Sequence, residues 1–159
     1  MNIFYEEHRI ILDKLIDKGI DFILIGGYAV NYHGYNRSTG DMDLWIKPDN
    51  ANKLLLLAAL IEIGYDKEGI STLETWDFTL PQSFYIGNEP ERTDFMTHIS
   101  GVNFNEAKGM IVQANIDGLL LPIIHINTLI QNKKASTRGK DRVDAEYLEK
   151  IIQFRNRKS

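Results

Sequence analysis

Two short apolar runs constrain this chain more than any other feature. Phe22-Ile23-Leu24-Ile25 is broken by Gly26-Gly27, and Met42-Asp43-Leu44-Trp45-Ile46 is ended by Pro48. Both are too short for a buried helix and nearly continuous in apolar residues, so they predict buried strands. Helices must then flank the sheet. Apolar residues Ile3, Phe4, Ile10, Ile11, Leu15 and Ile16 follow helical spacing up to Gly19. A short helix is expected from Tyr28 to His33, just after the glycines. Pro48-Asp49-Asn50 opens a longer helix through about Ile63, with Gly64 as its stop. Further strands are expected at Ser83–Ile86 and Arg92–Met96, around Gly87-Asn88-Glu89-Pro90. Another pair, Met110–Ile116 and Leu119–Ile124, flanks the hairpin signal Asp117-Gly118. The stretch from Glu68 to Gln82 reads as a loop with one helical turn at most, and Val102–Lys108 as a single turn. Helices at about Asn127–Ala135 and Arg142–Arg155 close the chain. The expectation is one α/β (α+β) domain over residues 1–159, with a mixed, mostly antiparallel sheet and C-terminal helices at about 127–155.

The 159 residues are 43% hydrophobic and 25% charged, enough apolar material for one core. Cysteine is absent, which excludes disulfides, thiolate metal sites and thiol nucleophiles. The longest apolar run, Leu54 to Ile61, falls short of the roughly 20 residues a membrane helix needs. No membrane association is expected, and the acidic, amphipathic N-terminus points to the cytoplasm rather than to export. The net charge of −4 is unevenly spread. Residues 133–159 carry nine Lys or Arg against four Asp or Glu, a local +5 set against −9 on the rest. Such a division suits a polyanion bound through metal ions.

The stretch IGGYAVNYHGYNRSTGDMDLWI, residues 25–46, carries the chemistry. Glycines between a strand and a helix let the backbone approach a ligand closely, and a helix start presents free N–H groups to an anion. On the next strand Asp41 and Asp43 are two residues apart, so their carboxylates face one way. Like charges so placed repel unless a cation lies between them. Oxygen ligands of this kind suit Mg²⁺ or Mn²⁺. None of His8, His33, His98 and His125 stands at a metal-ligand spacing, so each is taken as structural.

Gly26-Gly27, a spacer, and Asp41-Met42-Asp43 between hydrophobic residues resemble the signature of the DNA polymerase beta-like nucleotidyltransferase superfamily. The segment Leu129 to Ile151 looks like the Lys-rich stretch of its small bacterial members, including minimal and abortive-infection types linked to toxin–antitoxin systems. The resemblance implies a nucleotidyltransferase fold. It also implies a third carboxylate on a neighbouring strand, here Asp94 within Arg92-Thr93-Asp94-Phe95-Met96. The implied reaction is two-metal transfer of a nucleoside monophosphate from a nucleoside triphosphate to a protein, tRNA or small-molecule acceptor. In it Asp41, Asp43 and Asp94 are catalytic and metal-holding, and Asp94 helps deprotonate the incoming hydroxyl. Gly26 and Gly27 would cradle the triphosphate, with Arg37, Lys133 and Lys134 as charge partners, supported by Arg138 and Lys140. Adjacent lysines cannot face the same way on a helix, so one of Lys133 and Lys134 is expected at the phosphates, and Lys133 matches the family motif better. Asp144 is expected to pair with Lys140 or Arg142. Gly27 departs from the many members that carry Ser there, and a hydroxyl contact to phosphate is lost with it. The alternative is a catalytically weak, antitoxin-like nucleotide-binding module, acting as a homo-oligomer or with a partner subunit.

Overall fold

The computed structural model describes residues 4–36 and 39–158. In chain order the elements are α1 (Glu6–Asp17), β1 (Phe22–Ile25), α2 (Gly26–Tyr32), β2 (Met42–Ile46), α3 (Asn50–Glu62), α4 (Lys67–Glu74), β3 (Ser83–Ile86), β4 (Thr93–Met96), α5 (Phe104–Lys108), β5 (Val112–Ile116), β6 (Leu119–Ile123), α6 (Ile126–Ala135) and α7 (Gly139–Lys158). The six strands form one sheet in the order β3-β4-β2-β1-β6-β5. β1 pairs antiparallel with β2, β3 with β4, and β5 with β6, while β1–β6 and β2–β4 are parallel. The sheet is therefore mixed and mostly antiparallel, as the sequence predicts.

The two apolar runs lie side by side at its centre. Every residue of β1 is buried, and in β2 only Asp43 breaks the burial. Alternation sends Met42, Leu44 and Ile46 to one face and Asp43 and Trp45 to the other. Trp45 donates its indole N–H to the Thr97 carbonyl at 2.9 Å and packs edge-on against Phe104. The face bearing Asp43 is thus closed by α5 beyond Trp45 and open toward the start of β2.

Three local expectations need correction. α2 begins at Gly26 itself, with φ +69° there. A Cβ on Gly26 would lie 2.1 Å from Asp43 Oδ2, so glycine is required by the carboxylate behind it as well as by the turn. Residues 67–74 form a true helix, capped by Asp66 accepting from the Gly69 N–H at 3.2 Å. Its buried apolar content is only Ile70 and Leu73, too sparse a pattern to register as periodic. α7 starts at Gly139 rather than Arg142, which turns Asp141 and Asp144 inward.

Candidate active site

The candidate site gathers at the open end of the sheet, where β2 and β4 run parallel. Their register pairs Asp43 with Asp94, so the two carboxylates project side by side from neighbouring strands, which lie about 4.8 Å apart. Asp41 precedes β2 and faces the same way as Asp43. All three line a cavity of about 970 Å³, together with Gly26, Gly27 and Lys133.

The backbone beneath the carboxylates is held by a relay of buried polar groups. The Arg92 carbonyl accepts from the Met42 N–H at 3.0 Å and from His8 Nε2 at 3.1 Å. That donation leaves His8 Nδ1 as an acceptor, and it receives the Tyr28 hydroxyl at 3.3 Å. Burial holds His8 below its ordinary pKa and pushes Tyr28 up to about 12, so both stay neutral. Helices α1 and α2 thereby fix the entry to both carboxylate strands. His33 is structural as well: its Nε2 donates to the Ile124 carbonyl at 2.7 Å.

The carboxylates are poorly compensated. Burial, then repulsion from Asp94 and Asp41 against the opposing pull of Lys133 and Arg138, pushes Asp43 up to about 6. Asp41 Oδ1 is buried without a hydrogen-bond partner among the described residues. Glu89, on the β3–β4 turn, also lines the cavity, and its hydrogen bond with Asp41 raises its pKa. An orphaned buried oxygen beside a carboxyl that resists ionisation fits a divalent cation, which would supply the missing partner. Yet among the described residues no three His, Asp or Glu side chains form a closed metal-holding group. Asp94 is engaged elsewhere. Its Oδ1 accepts from Arg92 Nε at 3.1 Å and Nη2 at 2.8 Å, and the guanidinium stacks over the Tyr85 ring at 3.9 Å. Arg92, Tyr85 and Glu89 are cavity residues the sequence reading passed over. The i, i+2 spacing of Arg92, just ahead of β4, and Asp94 already set the two on one face.

The basic segment is organised differently from the expectation. Lys133 reaches the cavity wall, but its ammonium is buried between Asp141 Oδ1 at 2.9 Å and Asp144 Oδ2 at 3.2 Å. Asp144 therefore pairs with Lys133, and not through Lys140 or Arg142 alone. Ser136 Oγ donates to Asp141 Oδ2 at 2.6 Å, and Arg138 Nε lies 3.3 Å from the same oxygen. Burial raises the Asp141 pKa, but the Ser136 and Lys133 hydrogen bonds and the nearby cations outweigh it, leaving a net lowering. Lys134 points away to Glu149 at 2.8 Å and does not line the cavity. Arg138 and Lys140 do line it. Arg37 lies outside the described residues.

Residues 5–159 match the family model described as "Nucleotidyl transferase of unknown function (DUF2204)". The chain belongs to that family. No curated protein matches it in sequence. Among solved structures it resembles the lincomycin-bound lincosamide antibiotic adenylyltransferase LnuA, with a TM-score of 0.57 and 18% identity over 95% of this chain and 99% of that one. It also resembles the antibiotic-resistance factor ANT(2'')-Ia, with a TM-score of 0.52 and 15% identity over 95% and 90%. At these identities the likeness establishes the fold: a mixed sheet flanked by helices, shared with nucleotidyltransferases.

Proposed function

We propose that residues 1–159 act as one nucleotidyltransferase domain that moves a nucleoside monophosphate from a nucleoside triphosphate to an acceptor hydroxyl, with Mg²⁺ or Mn²⁺. The observation that carries this reading is the in-register pairing of Asp43 with Asp94, beside a buried Asp41 oxygen that has no hydrogen-bond partner among the described residues. Asp41 and Asp43 are the residues that would hold the cation. When bound, the metal neutralises charge on the triphosphate and polarises its phosphoryl oxygens. Gly26 and Gly27 line the cavity and admit the phosphates close to the backbone. Arg138, which also lies against Asp141, and Lys140 line the cavity and take the role first given to Lys133 and Lys134, as cations that meet the outer phosphate oxygens.

Asp94, through the oxygen not held by Arg92, receives the proton of the acceptor hydroxyl. The acceptor oxygen then bonds to the α-phosphorus, the bond from that phosphorus to the bridging oxygen breaks, and pyrophosphate leaves. The match over 99% of the lincosamide adenylyltransferase chain supports a small-molecule acceptor over a protein or tRNA, because a chain of that extent already accommodates one there.

The test is calorimetric titration of ATP and the other triphosphates with and without Mg²⁺. Binding should require the metal, and Asp43→Asn should weaken it by about 100-fold, in line with the loss of a charged group at a metal site. Equal affinity with and without metal in both proteins would remove the proposal.

A further inference from the structure

Helix α3 is apolar on both sides. Its inner side buries Leu56, Leu57 and Leu60 in the core. Its outer side presents Ala51, Leu54, Leu55, Ala58 and Ile61, all exposed and none charged, with Leu54 64% and Ile61 57% accessible. The helices packed against it are built in the usual way: exposed positions include Glu6, Asp13 and Asp17 on α1, and Lys67, Glu68 and Glu74 on α4. A helix that is apolar all round belongs in an interior, so the outer side of α3 lacks a cover among the described residues. This side lies away from the candidate site. Phe78, whose N–H donates to Asn50 at the start of α3, shares a cleft with Ile46 and Phe95 on the sheet face opposite Asp43 and Asp94.

The stripe complements itself. Ala51 and Ala58 alternate with Leu54 and Ile61 at the three–four spacing of a helix–helix seam. Laid antiparallel about a two-fold axis at position 56, Ala51 meets the second copy's Ile61 and Leu54 meets its Ala58, so each large side chain falls beside a small one. Charge fits the same orientation. Lys18 is ion-paired with Glu62, and Lys18 and then Lys14 hold the Glu62 carboxyl below its ordinary pKa, so cations gather at the C-terminal end of α3. At the N-terminal end Asp77 is exposed and held by the neutral groups of Asn50 and Thr79. Antiparallel pairing sets the lysine end of each copy against Asp77 of the other, whereas parallel pairing sets like beside like. We propose that this face of α3 is a dimer interface, occupied by the same face of a second copy of this chain in antiparallel register. Both cavities stay open in such a dimer, because none of the stripe residues lines them. The 13 residues of α3 span about 20 Å, and the seam falls short of the ~800 Å² per partner of a standard interface. The dimer is therefore reversible, with a dissociation constant on the order of 10 µM.

Sedimentation velocity of the full chain from about 1 to about 200 µM tests this, a range that brackets the expected constant. The wild type should pass from 18.2 kDa to twice that mass as concentration rises. Ala58→Arg should weaken association at least ~100-fold, because each copy then drives a charge into the apolar stripe of the other. Leu54→Glu serves where Ala58→Arg does not fold, with circular dichroism as the check on both. Lys14→Glu should weaken association by about tenfold at low salt, and adding Asp77→Lys to the same chain should restore it to within about threefold. Oxidation reads the register, since the chain has no cysteine of its own. Leu55→Cys sits beside the axis and should cross-link to its own copy, whereas Ala51→Cys, about 15 Å from its mate along the seam, should not. A single copy at every concentration, a dimer that survives Ala58→Arg and Leu54→Glu in folded protein, or Ala51→Cys cross-linking as fast as Leu55→Cys overturns the proposal.

Discussion

The two charged flanks of the cavity follow opposite rules. On the β2–β4 side, Asp41 and Asp43 are half-buried with too few partners among the described residues. On the α6–α7 side, Lys133 is buried more completely, yet both its neighbours are carboxylates within 3.2 Å. Desolvated charge is costly in either place. Where the cost is offset internally the group holds the fold together, and where it is left standing the proposed function assigns the group a ligand. In the proposed reading Lys133 is thus a strut between α6 and α7, and Arg138 and Lys140 are the cations turned to the phosphates.

Breaking the strut should give the largest effect. Lys133→Met takes from Asp141 and Asp144 the buried ammonium they share, and loss of one partner from a buried ion pair costs about 3–5 kcal/mol. Urea unfolding should report that loss in the midpoint.

The opposite sign is expected at Asp43. Its folded pKa of about 6 exceeds the ordinary 3.8, so the folded state holds a proton more tightly than the unfolded one. Stability from this group is present at acid pH and declines as pH rises from about 4 through about 6. Asp43→Asn removes the decline and should raise stability above pH 6 by roughly 2–3 kcal/mol, with no difference near pH 3.5. Melting curves across that range check it. The same variant should bind triphosphate more weakly, so stability and binding are expected to move in opposite directions there.

Smaller effects sharpen the division within the basic segment. Arg138→Ala and Lys140→Ala should each weaken metal-dependent triphosphate binding by about 3- to 20-fold, the span of one charge-assisted hydrogen bond or less. Lys134→Ala, at an exposed pair with Glu149, should change stability by under about 0.5 kcal/mol and leave binding unaltered. A binding loss there as large as that from Arg138→Ala would erase the distinction.

What was legible in the sequence follows the same line. β1, β2 and the Asp41–Asp43 pair could be read because burial, alternation and glycine punctuation are local signals. Asp94 was located by its resemblance to a family pattern, and the sheet register then set it beside Asp43. The partners of Lys133 were not legible, because they depend on how α7 folds back across α6 and on a helix start three residues earlier than periodicity indicates. α4 was missed for want of apolar residues, although Asp66 and Gly69 carried its cap. Arg92 was legible in principle from its i, i+2 relation to Asp94. It went unused because a strand arginine ordinarily faces water, and only the Tyr85 ring opposite marks this one as held.

The pairing of β2 with β4 also governs how this chain can tolerate a change in length. Side chains alternate, so a single inserted residue within β4 would replace Asp94 on the cavity face by Thr93 or Phe95 and drive the carboxylate into the apolar interior. The described residues ahead of the two strands, 33–36, 39–40 and 87–91, lie outside the ladder and carry no such parity. Insertions and deletions in an evolving lineage can therefore collect in those connections, while the strands themselves must keep their count.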